Sequence, residues 1–357
     1  MAIDPATLYG AQVDTSTDPT GYPYGQARND AVAGDGTGTP GEKNWLSDLW
    51  GFCQALLSDS NQTPTGTPDK VGASQYLDAI NYRLGMSGRP IAWSYYVLNG
   101  EAVEGDDASL AGEDGTVSGL AFRPDGSTMY VGGSDNDAVF QYALTLPWLL
   151  SSAAYASKSL DVSGESTQAV DVKLSADGLS MYVLGSADTI FQYTLGTAWD
   201  ASTGSYASKS LDVSPENTAP TAIAFKPDGL ILYVAGAAAS GEVNQYTLGT
   251  AWDLSTASFA SKTLSTTAQD TVPQGMHFRA DGKKLFLQGI TDDTIMRYTL
   301  GTAWDISTAT FETELAVGAI SGSYSGMEFR SDGSKAYLID TSGTRVVEVY
   351  TSRAHLG

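Results

Sequence analysis

The sequence has few of the residues that carry covalent cross-links, metal binding or nucleophilic catalysis. It contains one cysteine, Cys53, and two histidines, His277 and His355, in 357 residues. One cysteine excludes a disulfide within the chain, and no zinc-binding spacing, phosphate-binding loop or Ser/His/Asp set is present. No run of 18 apolar residues occurs, which excludes a helical membrane span.

Basic residues are also scarce. Nineteen Lys and Arg face 41 Asp and Glu, which gives a formal net charge of -22. This balance repels a phosphate backbone, so we do not expect a nucleic-acid partner. The segment Met1–Pro5 has neither the basic region nor the apolar core of a signal peptide, so we expect synthesis in the cytoplasm without a signal peptide.

What the sequence has in abundance is repetition. An Asp-Gly pair recurs at intervals of 52, 51, 53 and 51 residues, and a tryptophan and a tyrosine keep nearly the same step. The markers are Asp125, Asp177, Asp228, Asp281 and Asp332; Trp148, Trp199, Trp252 and Trp304; and Tyr142, Tyr193, Tyr246, Tyr298 and Tyr350. Three markers at one period of roughly 50 residues indicate repeated structural units.

Each unit predicts four short strands. Apolar residues such as Leu120 and Phe122 precede the Asp-Gly pair, which supplies the positive φ of a tight hairpin. Two further strands are separated by a loop of the type Gly196–Asp200. Four strands per repeat predict a mainly β fold, a five-bladed β-propeller over residues 91–357.

The ring is predicted to close through a strand from the N-terminal side. The fifth unit, residues 319–351, has only three strands, and Trp93–Leu98 supplies a candidate for the fourth. Pairing this strand with the last blade, as in velcro closure, would remove two exposed sheet edges.

The residues before the propeller divide into two parts. Residues 1–38 are rich in Gly, Pro, Thr and Asp without a period, which predicts an extended N-terminal arm. Residues 39–90 predict a small two-helix module, with one helix starting at the capping box Thr39–Glu42 and another over about Ser74–Leu84. Two such helices bury too little surface to stand alone, so we expect them to attach to another subunit.

Several segments resemble proteins of tailed bacteriophages. Gly21–Asn29, Asn44–Phe52 and Pro68–Ile80 resemble the N-terminal module of tail-fibre proteins. Phe122–Val131 resembles the strand-turn-strand of TolB-like propellers, and Gln192–Asp200 is similar to repeats of tailed-phage virion proteins. The resemblance implies a virion location, an oligomer joined to other virion or tail proteins, and contact with a host surface glycan or protein.

Polar residues on the innermost strands are candidates for an axial site. Each of the five Asp-Gly pairs has one inner-strand position four residues before it, and three of these five positions are polar. Asp171 lies two residues before the polar position of the second unit. The axial candidates are Asp171, Lys173, His277 and Glu328. Two carboxylates and a base could perform acid/base chemistry, or the four could pair with one another in a wet channel. Near-identical blades disfavour a glycosidase, which needs different residues from each blade.

The two faces of the ring differ. We call the face with the Asp-Gly turns and Ala-Trp-Asp loops the Asp-Gly face, and the face with the interblade and strand two-to-three loops the variable face. Candidate binding residues of the variable face are Asp106, Asp107, Asp114, Asp135, Asp137, Asp188, Glu242, Asp292, Asp293 and Asp340. A one-signed variable face is typical both of a binding surface and of a solvated surface.

The sequence of the same loops neither establishes nor excludes a Ca²⁺ site. Ser134–Asp137 carries two aspartates that could contribute to a Ca²⁺ site, but no loop has a complete ligand pattern. We expect no catalytic residue and no other cofactor or metal.

Together these patterns favour a non-enzymatic structural protein of a tailed-phage virion, a tail fibre or similar appendage. Its N-terminal module would anchor it, and its propeller would bind the host surface or decorate the particle. The alternative is a glycoside hydrolase acting on host surface polysaccharide.

Overall fold

The chain divides into two compact units, Met1–Tyr95 and Tyr96–Gly357. A computed structural model describes residues 13–14, 26–27, 102–237, 241–318, 323–330, 333 and 335–351. In the first unit these are two short strands, β1 (Val13–Asp14) and β2 (Gln26–Ala27), which pair antiparallel. The helices predicted within 39–90 lie outside the described residues. Within the described residues, no helix has the length and apolarity needed to cross a membrane.

The second unit is a five-bladed β-propeller. Each blade is a four-stranded antiparallel sheet, and the innermost strands of neighbouring blades contact one another around the axis. Blade 1 has β4 (Val117–Phe122), β5 (Thr128–Gly133), β6 (Ala138–Leu144) and β7 (Ala153–Asp161). Blade 2 has β8 (Asp171–Leu174), β9 (Ser180–Leu184), β10 (Thr189–Leu195) and β11 (Gly204–Asp212). Blade 3 has β12 (Pro220–Phe225), β13 (Ile231–Gly236), β14 (Glu242–Leu248) and β15 (Ala257–Ser265).

The remaining blades complete the ring and confirm the predicted fold class. Blade 4 has β16 (Pro273–Phe278), β17 (Lys284–Gly289), β18 (Thr294–Leu300) and β19 (Ala309–Ala316). Blade 5 has β20 (Tyr324–Phe329), β21 (Ala336–Asp340), β22 (Arg345–Thr351) and, as its outer strand, β3 (Ala102–Ser109) from the start of the unit. Ring closure by an N-terminal strand is therefore correct.

Burial follows from the position of each strand in its blade. The second strand of a blade lies between two neighbouring blades, so both of its faces are covered, and every residue of β5 is buried. The fourth strand lies on the outside, and β7 has exposed positions along most of its length. This explains why the second strands read as continuous apolar runs, whereas the fourth strands are polar.

The Asp-Gly turns hold the tryptophans in place. The turn glycines have φ between 69° and 74°, a region that favours glycine. A Cβ built on Gly126 would lie 2.2 Å from the Trp148 indole, and one on Gly229 would lie 2.4 Å from the Trp252 indole. The glycine is therefore required both by the turn and by the ring packed on it, which is why the two markers share one period.

Adjacent blades are joined by hydrogen bonds from tyrosine to tryptophan. A tyrosine hydroxyl on the second strand of one blade donates to the backbone oxygen of the loop tryptophan in the next. The bonds run from Tyr130 to Trp199 (2.7 Å), Tyr182 to Trp252 (2.6 Å), Tyr233 to Trp304 (2.7 Å) and Tyr337 to Trp148 (3.0 Å). Blade 4 has Phe286 in place of the tyrosine. The residue one repeat before Trp148, where a tryptophan would be expected, is Val97.

The closing strand lies later in the chain than the sequence predicts. It is Ala102–Ser109, not Trp93–Leu98, and it pairs with β22 from Ala102 opposite Thr351 to Ser109 opposite Arg345. In blades 1 to 4 the tryptophan belongs to the loop before the fourth strand, and the strand begins five residues after it, as from Trp148 to Ala153. The aromatic residue is thus a marker of the loop and not of the strand.

The tyrosine marker also fails in the last blade. In blades 1 to 4 the third-strand tyrosine pairs with the fourth residue after the Asp, as Tyr142 pairs with Met129. In blade 5 the equivalent residue, Ala336, pairs with Val349. Tyr350 is therefore one position out of register with the repeat.

We predict that Tyr337→Phe destabilises the closed ring. The variant leaves the Trp148 backbone oxygen without its tyrosine donor, and loss of a partner for a buried polar group costs about 1–3 kcal/mol. Urea unfolding measures the change. Tyr155→Phe on the exposed outer strand is the matched control, with an expected change below about 0.5 kcal/mol. Equal stability of the two variants would contradict the closing role of Tyr337.

Candidate functional site at the propeller axis

The four predicted axial residues are brought together by the inner strands. Lys173 on β8, His277 on β16 and Glu328 on β20 occupy equivalent positions in blades 2, 4 and 5. Blades 1 and 3 have Ala121 and Ala224 there. The small side chains leave space on the axis that the larger ones can enter.

The Lys173 side chain extends past the inner strand of blade 1 to reach blade 5. Its Nζ lies 3.5 Å from Glu328 Oε2 on blade 5 and 3.6 Å from Asp171 Oδ1 on its own strand, and it donates to the Leu120 backbone oxygen at 2.7 Å. The intervening position is Ala121, whose methyl group leaves the path open. Burial opposes the charge of Lys173, but the two carboxylates outweigh it and raise the pKa of the ammonium group.

Glu328 is held in its ionised form. His277 Nδ1 lies 2.5 Å from Glu328 Oε1, and the Phe329 backbone N–H donates to the same oxygen at 3.0 Å. Burial would raise the pKa of Glu328, but His277 and Lys173 outweigh it and lower the pKa to about 2.

Asp171 is the deepest member of the cluster. Its carboxylate accepts backbone N–H bonds from Val172 and Ile223, both at 2.8 Å. Burial raises the pKa of Asp171, and the attraction of Lys173 offsets this in part. The neighbouring inner strand comes very close, because a Cβ on Gly119 would lie 2.5 Å from the Asp171 Cα atom. Asp171 is therefore fixed between strands, and it does not line the open space described next.

An open funnel lies above the cluster on the Asp-Gly face. Two adjoining cavities of about 220 and 360 Å³ share part of their lining, with Lys173 and Glu328 at their base and His277 at the base of the larger one. Residues that line both cavities are Phe122, Pro124, Lys173, Phe225, Pro227 and Glu328. The sequence pattern predicts the charged base but not the aromatic wall. The available signal is the Phe that lies three residues before the Asp in four of the five Asp-Gly pairs, blade 2 having Leu174 instead.

On the variable face, three of the predicted acidic residues stand at positions of positive φ. Asp137, Asp188 and Asp293 have φ of 48°, 51° and 49° at the tips of the strand two-to-three hairpins. Aspartate is one of the few residue types other than glycine that tolerate this region. The backbone oxygen of each accepts an N–H from the loop entering the next blade, at 2.8–2.9 Å.

Two more predicted acidic residues are buried supports of loops. Asp114 accepts the backbone N–H groups of Thr116, Asp135 and Asn136, and it is 3% exposed. Asp340 is 2% exposed and accepts from Ser342, Gly343 and Arg345 Nε. Their carboxylates are turned toward the protein and are not available on the surface.

Asp106 and Asp107 are predicted in the loops of the variable face. In the structure they lie on the closing strand, β3. Asp107 pairs with Arg345 Nη1 at 2.7 Å. Asp106 accepts the Ser151 backbone N–H at 2.7 Å. In blades 2 to 4 that role belongs to the aspartate after the tryptophan, as in Asp200, but blade 1 has Leu149 there, without a side-chain cap. Blade 5 thus caps a short helical turn of blade 1.

The other predicted residues of the variable face are less constrained. Asp135 and Asp292 are exposed, and Glu242 is half-buried and accepts from Asn244 Nδ2 at 2.9 Å. Among the described residues, no group of three or more His, Cys, Asp or Glu side chains is arranged to hold a metal ion. Most of the predicted acidic surface is therefore structural in origin.

Comparison with known proteins assigns the chain to no family. No protein-family model and no curated protein matches the chain. A functionally unknown protein from Desulfotomaculum acetoxidans DSM 771 is 14% identical with a TM-score of 0.41, and 62% of each chain is covered. A candidate 6-phosphogluconolactonase from Bacteroides uniformis ATCC 8492 is 15% identical with a TM-score of 0.42, and 66% of each chain is covered.

A third similar structure is Sqt1 from Chaetomium thermophilum. It is 16% identical with a TM-score of 0.39, and the match covers 70% of this chain and 67% of Sqt1. The chain spans only 62% of the length of the Desulfotomaculum protein. These similarities assign no activity, substrate or partner.

We predict that Glu328 makes stability depend on pH in the acidic range. Its pKa falls from an ordinary 4.5 to about 2, so its contribution is complete above about pH 4.5 and is lost as the pH falls toward 2. The difference in free energy of unfolding between wild type and Glu328→Gln should shrink by on the order of 3 kcal/mol over that range. Urea titrations at stepped pH measure it. A constant difference would show that the carboxylate is not held by its neighbours.

We also predict that Asp106→Ala destabilises the junction between blades 5 and 1. Loss of a capping carboxylate costs about 1 kcal/mol. Asp106→Lys combined with Leu149→Asp recreates the Lys158–Asp200 pair of the next junction, whose atoms lie 2.6 Å apart, and should recover most of the loss. Urea unfolding of the three proteins tests this. If Asp106→Ala were as stable as wild type, the Asp106 carboxylate would not stabilise this junction.

Proposed function

We propose that this chain is a non-enzymatic structural protein of a tailed-phage virion, a tail fibre or similar appendage. Residues 1–90 would join it to other tail proteins, and the propeller would bind the host surface or decorate the particle. The phage assignment is supported by the resemblance of residues 20–84 and of Gln192–Asp200 to phage proteins.

One observation about the axial carboxylates favours binding over catalysis. A glycosidase needs a protonated carboxylic acid and a second carboxylate, both facing the substrate. Glu328 faces the funnel, but its pKa of about 2 keeps it ionised. Asp171 has a raised pKa, but its oxygens are bonded to backbone N–H groups of the strands. The carboxyl group suited to proton donation is thus outside the funnel.

The virion assignment is tested on purified phage particles. Mass spectrometry of particles from the phage or prophage that carries this gene should find peptides of the chain in proportion to other tail proteins. Particles purified to constant composition without such peptides would overturn the assignment. This test does not depend on what the propeller binds.

The non-enzymatic part is tested on polysaccharide. The full-length chain is incubated with surface polysaccharide extracted from the host, and reducing ends are assayed over time. We expect retention on the polysaccharide, or no interaction, without release of reducing ends. Sustained release that is lost in Glu328→Gln would instead establish the glycoside hydrolase alternative.

A further inference from the structure

We propose that the axial funnel on the Asp-Gly face binds a neutral sugar ring. The proposal rests on the proposed function, for which it supplies the ligand class and the place where the ligand sits. It moves the expected binding surface from the acidic variable face to the opposite face of the ring.

The open space has a structural cause. Lys173 on blade 2 and His277 on blade 4 both contact Glu328 on blade 5. Between blades 2 and 4, the equivalent position is Ala224, which lines the larger cavity. The departure from five-fold repetition therefore places charged groups and empty space side by side. A cavity of about 360 Å³ is near the lower end of the range for small-molecule sites.

The walls are apolar and rigid. Phe225 packs on Trp252 with ring centroids 5.2 Å apart and on Tyr182 at 4.5 Å. Phe122 packs on Trp148 at 5.1 Å in the same way. Because each ring is held by neighbours, the wall exists before a ligand enters, which lowers the ordering cost of binding. Flat apolar walls suit the C–H faces of a pyranose ring.

The base of the funnel selects against net charge. Lys173 and Glu328, which line both cavities, carry opposite charges and lie 3.5 Å apart. An anionic ligand would be repelled by Glu328, and a cationic ligand would be repelled by Lys173. Either ligand would also lose part of its hydration in the funnel. A neutral ligand avoids both costs.

Hydroxyl groups suit this base because each can donate and accept. The side chains of Lys173, His277 and Glu328 are 13%, 18% and 17% exposed, so each has a small part of its surface open to the funnel. A ligand hydroxyl can donate to the Glu328 carboxylate and accept from the Lys173 ammonium group. Apolar walls around a few convergent polar groups are the usual plan of a small-molecule site.

The test uses two exposed alanines of blade 2. Ala176 lines the smaller cavity on the Asp-Gly face, and Ala187 lies in the strand two-to-three hairpin on the variable face. Ala176→Trp should block the funnel, and Ala187→Trp is the matched control. Both positions are exposed, so neither change disturbs the core. Ala280→Trp, in the wall of the larger cavity, is a second blocking variant.

Binding is measured on the full-length protein by saturation-transfer NMR with glucose, galactose, N-acetylglucosamine and rhamnose. We expect at least one sugar to receive saturation, with affinity about tenfold weaker or worse in Ala176→Trp and Ala280→Trp and within about twofold of wild type in Ala187→Trp. No saturation of any sugar, or equal binding in all variants, would overturn the proposal. Binding of a proline-rich control peptide but not of sugars would also overturn it.

These outcomes are independent of the particle experiment. If sugars do not bind but the chain is found in virions, only the funnel proposal fails. If sugars bind and the chain is absent from virions, the site stands and the phage assignment fails.

Discussion

The backbone oxygen of each tryptophan in the Ala-Trp-Asp type of loop accepts a hydrogen bond from a tyrosine of the preceding blade, and the ring depends on this contact. The bond fixes the distance between blades, while the tryptophan ring packs beneath the turn glycine of its own blade. Turn, loop and interface are therefore one unit that must repeat together. The junction from blade 4 to blade 5 departs from it, with Phe286 in place of the tyrosine. There Phe286 packs on Phe329, with ring centroids 4.9 Å apart.

The sequence predicts the five blades correctly because the markers are part of this unit. Asp-Gly pairs and tryptophans are required by local geometry that every blade shares, so their period reports the architecture. The closing strand was misplaced for a related reason. The predicted closing strand begins at Trp93, whereas the described tryptophans of the repeat have φ of 64–65° and belong to the loop. The pairing of Ala102–Ser109 with β22 is a long-range contact that no local pattern fixes.

The axial cluster was predicted because the register of the inner strands can be counted from each Asp-Gly pair. The role of the acidic variable face does not follow from its charge, because charge alone does not distinguish a surface residue from a residue that supports a loop. Asp114 and Asp340 each accept more than one backbone N–H group, and Asp137 stands where the backbone φ is positive. The funnel wall was missed for the opposite reason. Phe122 and Phe225 look like core residues in sequence, and only the fold shows that they also line the funnel.

The composite last blade has a consequence for synthesis. Asp107 on the first strand pairs with Arg345 on the last, 238 residues later. At translation rates of about 5–20 residues per second, the ribosome needs on the order of tens of seconds to make the intervening chain. Blades 1 to 4 can form in order as they emerge, but β3 must wait as an unpaired edge until β22 has been made. Completion of the ring therefore comes after the other four blades, and β3 is most exposed to association with other chains during that interval.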